Sequence, residues 1–138
     1  MAIEMADIQL RRGKEPRVEG LAQKIKDAQQ PEIDTMTALY TKLTGRTLDT
    51  SIVMAPEQMA MMGMSMDMRE LQTTPEPDRV FLRMMIPHHA GAIVMADLIA
   101  QRSSNDTIVK MARQMVADQS AEIGQMQTLR AKIAPPIG

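Results

Sequence analysis

His88 and His89 stand side by side in the segment MMIPHHAGAIVMA and are the chain's only histidines. Met84 precedes His88 by four residues and Met85 precedes His89 by four, so on a helix each histidine shares a face with a thioether. Met95, seven residues beyond His88, returns to the His88 face. Thioether sulfur with imidazole nitrogen suits cuprous or silver ions, whereas hard cations bind thioethers poorly. Zinc calls for several His, Cys or carboxylate ligands at set spacings, and adjacent histidines do not easily reach one ion from one helix. The same pattern also fits plain packing, because methionine fills irregular cores well.

Helical spacing places Phe81, Met84, His88, Gly91, Met95 and Leu98 on one buried stripe. His89 is turned about 100° from His88 and is expected at the edge of that stripe, as a ligand or as an ordinary surface histidine. Ser103-Ser104-Asn105 breaks the pattern and offers cap residues. The following helix carries Ile108, Met111, Met115, Gln119 or Glu122, Met126, Leu129 and Ile133 on one face. An antiparallel return through a tight loop sets His88 opposite Gln119, with Met115 and Glu122 a turn to either side. His88, Met84, Met115 and Glu122 are therefore candidate ligands, and Met95 with Met111 forms a second, purely thioether candidate. Glu122 has a competing role, orienting His88 through a hydrogen bond with or without a metal. Pro87 either kinks the helix just before the histidines, at a cost of roughly 3 kcal/mol, or marks its true start.

A second signal lies in the connection, where Met54, Met59, Met61, Met62, Met64, Met66 and Met68 crowd together. In MMGMSMDM the sulfurs alternate, as an extended strip of donors needs, while Met59, Met62 and Met66 also share a helical face. Met59, Met62, Met64 and Met66 are candidates for metal capture. The alternative is an apolar flap over one end of the fold, or a surface for amphipathic partners.

The elements that position these residues repeat. Residues 2–40 align without gaps on residues 92–130 at a constant offset of 90, with 12 of 39 positions identical, among them Gln29/Gln119, Glu32/Glu122 and Met36/Met126. Both copies read as helical hairpins, with Gly13–Glu15 matching the second break and Pro16 tolerated in a first helical turn. The predicted architecture is all-α: one 138-residue domain made of a first repeat (1–44), a long connection (45–76) and a second repeat (77–134). The counterpart of FLRMMIPHHAG falls before residue 1, so we expect a shortened start that leaves one end of the histidine helix uncovered, and a homodimer through that end.

The chain has 16 Met, one Phe, one Tyr, no Trp and no Cys, with a net charge of −1. Absence of cysteine excludes disulfides and thiolate chemistry, and no basic stripe with aromatics points to nucleic acid. Its apolar runs fall short of the roughly 20 residues of a membrane span. A di-iron oxidase requires Glu-x-x-His motifs, and none occurs. No nucleophile constellation accompanies the histidines, so a non-enzymatic protein is expected.

MMIPHHAGAIVMA, with Asp78-Arg79-Val80-Phe81-Leu82 upstream and AEIGQM downstream, resembles the family catalogued as domain of unknown function number 305. The resemblance implies a ferritin-like four-helix bundle of two HH-containing repeats, bacterial export to the periplasm or beyond, and copper binding and tolerance through Met and His. Position by position it points to Met84, Met85, His88, His89 and Met95. This chain departs from the pattern in lacking the first HH pair. The expected ligand is thus Cu(I) or Ag(I). The competing expectation is a metal-free helical interaction module with a methionine-rich core.

Overall fold

The computed structural model describes residues 2–45 and 68–133. All regular structure among them is helical. Helix α1 spans Ala2–Arg12 and α2 spans Pro16–Thr44. A short α3 covers Met68–Thr73, a helix that the sequence pattern did not announce within the connection. Two long helices follow, α4 over Pro77–Arg102 and α5 over Asp106–Ile133.

The helix breaks obey the offset of 90. α1 ends at Arg12 and α4 at Arg102; α2 begins at Pro16 and α5 at Asp106. Each second helix starts on side-chain capping. The Glu15 carboxylate accepts the Arg17 N–H, and Pro16 sits where a missing N–H costs nothing. Asn105 Oδ1 accepts the Ile108 N–H at 3.1 Å. α2 closes on Gly45 at φ 70°, the left-handed conformation that glycine adopts freely, with its N–H returned to the Thr41 carbonyl. Pro87 lies well inside α4, ten residues from its start, so it is a true mid-helix proline.

Within each hairpin the helices pack on each other, and α1 and α3 both pack against α4. The main core joins Met5, Ala6 and Ile8 of α1, Val18, Leu21, Ala22 and Ile25 of α2, Leu71 of α3, Phe81, Leu82, Met84 and Met85 of α4 and Met126 of α5. A smaller cluster at the far end holds Ala96, Ala100 and Ala112, with Val109, Met115 and Val116 against it. The first half of α4 is enclosed on several sides. Its second half is not: Leu98, expected on the buried stripe, is 42% exposed, and Val94 and Ile99 are also open. α1 is only 11 residues long and stops covering α4 before that point.

A polar latch ties the first hairpin to the second. Buried Gln9 donates through Nε2 to Asp78 Oδ1 at 2.5 Å, and Asp78 also accepts the Lys14 and Glu15 backbone N–H groups at 3.2 Å. Arg12 donates to the carbonyls of Leu71 and Thr74, each at 2.6 Å, and Arg83 pairs with Glu70. Gly13 makes the corner fit. A Cβ there would lie 2.5 Å from Gln9 Nε2 and 2.6 Å from the Gln9 carbonyl oxygen.

Candidate metal centre

Both histidines are buried, and the deeper one is His89. It has no exposed surface, while His88 retains 8%. His89 Nε2 lies 2.5 Å from Glu122 Oε2, and Glu122 is itself buried. Two expectations are corrected here. His89 is not at an edge, and Glu122 pairs with His89 rather than His88. Periodicity assumes a helix with a single covered side, whereas α4 packs against α5, α1 and α3, and two of its adjacent stripes are interior. Leu82, Met85 and His89 form the second stripe, at spacings of three and four, and none of them is exposed.

His88 lies on the first stripe with buried Met84. Burial, and secondarily the neighbouring His89, lower its pKa from the ordinary 6.5 to about 4. The charged form is the one that loses hydration on burial, so the imidazole is held neutral. The two rings are 6.4 Å apart between centroids and tilted by 58°, so they splay rather than stack.

The polar inventory is incomplete. His88 Nδ1, His89 Nδ1 and Gln119 Oε1 are all buried and lack a hydrogen-bond partner among the described residues. Each such atom normally costs about 1–3 kcal/mol, and buried polar atoms are as a rule paired. Gln119 lies one turn before Glu122 on α5 and is buried with it. Unprotonated imidazole nitrogens and thioethers are soft donors, so the donor set fits a soft cation. Among the described residues no group of three or more His, Cys, Asp or Glu side chains is arranged to hold a metal. A carboxylate or histidine cage for zinc or iron is therefore not formed there.

The other candidates separate. Met115 packs on the small alanine cluster, apart from the core that contains Met84 and Met85. Met95 and Met111 are half-buried. Met59, Met62, Met64 and Met66, together with Met54 and Met61, lie outside the described residues. Glu32 of α2 was not foreseen. Partial burial, then the charges of Asp118 and Glu122 on α5, raise its carboxyl pKa above the ordinary value. A signal for it existed, because Glu32 aligns with Glu122 at the offset of 90.

No curated protein matches the chain in sequence. Solved structures do. CopM in the Cu(I)-bound form is 30% identical, with a TM-score of 0.84 over 96% of this chain and 87% of that one. CopM in the Ag-bound form is 29% identical, with a TM-score of 0.82 over 98% and 88%. A DUF305 fragment from Deinococcus radiodurans is 30% identical, with a TM-score of 0.85 over 95% and 86%. The paired histidines on a helix, the hairpin framework and these likenesses agree with the match over residues 1–130, and the chain belongs to the family described as Domain of unknown function (DUF305).

Proposed function

We propose that this protein binds Cu(I), and Ag(I) as its chemical analogue, in the bacterial cell envelope, and serves copper tolerance or trafficking without catalysing a reaction. The observation that carries the reading is the pair of unpartnered, buried imidazole nitrogens on α4, each a turn from a buried thioether. Similarity to CopM in Cu(I)-, Cu(II)- and Ag-bound forms supports the same metal class. His88, His89, Met84 and Met85 would supply the donors. Such an ion would be held by groups that need no carboxylate, which favours a monovalent soft cation over a hard divalent one.

Titration with Cu(I) in the presence of a competing cuprous chelator tests the reading, beside a His88→Ala, His89→Ala double variant and a variant deleted in the connection methionines. Withdrawal of copper by the native chain and its loss in the histidine variant are expected. Copper left wholly on the chelator would end the proposal. Any retention that depends only on the deletion would move the site to the connection. No helix of the described residues is long and apolar enough to cross a membrane.

Exposed Val94, Leu98 and Ile99 on α4 favour a second reading, an interaction module that pairs with a second copy. It predicts a dimer whose melting temperature is indifferent to copper. A copper-dependent rise in melting temperature counts against it.

A further inference from the structure

We infer that Glu122 is a positioning residue that fixes the proton of His89 on Nε2, so that His89 presents Nδ1 to a soft cation. The inference rests on the metal-binding reading above and adds which atom binds and what orients it.

The argument starts from the hydrogen bond. Glu122 Oε2 is 2.5 Å from His89 Nε2, in a place where Glu122 is 5% exposed and His89 not at all. An ionised carboxylate only accepts, so the shared proton belongs to Nε2. The lone pair then remains on Nδ1, which is buried and has no partner among the described residues. A buried imidazole nitrogen with its lone pair unused is available to coordinate a soft cation. The two nitrogens also differ in reach. Nδ1 is bonded to Cγ and stays beside its own helix, while Nε2 at the far end of the ring extends to α5. Met85, a turn earlier on the same stripe of α4, is likewise without exposed surface.

Among the described residues His88 has no comparable anchor: no carboxylate there pairs with it, and its Nδ1 is likewise unpartnered. The two histidines are therefore unequal: His89 is tied to α5 by this hydrogen bond, and His88 has no such tie among the described residues. Carboxylates that hold a ligating histidine through its other nitrogen typically change metal affinity by about 10–100-fold when removed. Glu122→Gln keeps the volume and removes the obligatory acceptor, since its amide can either donate or accept.

The test uses the full chain labelled with 15N, with two-bond proton–nitrogen spectra of the histidine rings and silver nitrate as the diamagnetic probe. A His88→Gln variant assigns the signals. In the metal-free protein His89 should show a protonated Nε2. Silver should shift the His89 Nδ1 resonance and leave the Nε2 proton in place. In E122Q the ring should sample both tautomers, and silver affinity should fall by about 10–100-fold. Silver that shifts Nε2 instead, or that binds E122Q with native affinity, overturns the positioning role and leaves metal binding standing. Silver that moves neither ring nor any methionine methyl overturns the metal-binding reading and this inference together. Far-ultraviolet circular dichroism of E122Q, unchanged from native, separates loss of the anchor from loss of the fold.

Discussion

Acid should destabilise this protein through one identifiable imidazole. His88 titrates at about 4 in the folded chain against 6.5 ordinarily, because burial strips water from its charged form. Between those values the unfolded chain binds a proton that the folded chain refuses, so unfolding is favoured as pH falls. Above the upper value both states are neutral at this position and the effect vanishes; below the lower one both are charged and it stops growing. At roughly 1.4 kcal/mol per pH unit the full loss is about 3 kcal/mol. With the side chain 8% exposed, solvent screening takes little from that figure. Urea unfolding of the native chain and of His88→Gln, compared at intervals from pH 7 to pH 4, isolates the contribution, since the carboxylates titrate alike in both. The native chain should lose about 3 kcal/mol more than the variant across this window. Parallel curves for the two proteins would refute the assignment of a depressed pKa to His88.

Other consequences are more local. His89→Leu strands the Glu122 carboxylate in the interior and should cost about 3–5 kcal/mol, whereas His89→Leu with Glu122→Leu should recover most of that loss in chemical denaturation. Gly13→Ala forces a methyl within 2.6 Å of the Gln9 carbonyl, and a loss of about 1–3 kcal/mol on thermal melting is expected. Met85→Leu conserves volume and should change stability by less than about 1.5 kcal/mol. The same variant should lower Cu(I) affinity in chelator competition by about tenfold or more, or roughly 1.4 kcal/mol.

Local chemistry made the helix ends readable. Gly13–Glu15 and Ser103–Asn105 stand at equivalent places in two aligned stretches, and both helices after them begin four residues past the last residue of the helix before. The α5 face was readable too, since Gln119, Glu122 and Met126 are interior together. The pattern on α4 misled because a hydrophobic stripe records how many apolar residues a helix carries, not how many neighbours surround it. Leu98 has the right spacing and only partial cover; His89 is polar, lies off the chosen stripe, and is wholly enclosed. His89 and Glu122 meet at a separation of 33 residues, four residues out of the register that a symmetric hairpin predicts, and spacing along one chain segment cannot set that shift. Glu32 was visible only through its likeness to Glu122.

α4 is unevenly upholstered, and that unevenness sets how it breathes. Residues 77–86 are wedged among three other helices, but from Val94 onward the helix leans on little besides α5. Pro87 interrupts the ladder between the two stretches, having no amide to give to the Arg83 carbonyl. Amide hydrogens of the outer stretch should therefore exchange through small openings that never reach the inner one. The histidines occupy the seam between these two stretches, next to the point where the ladder is interrupted.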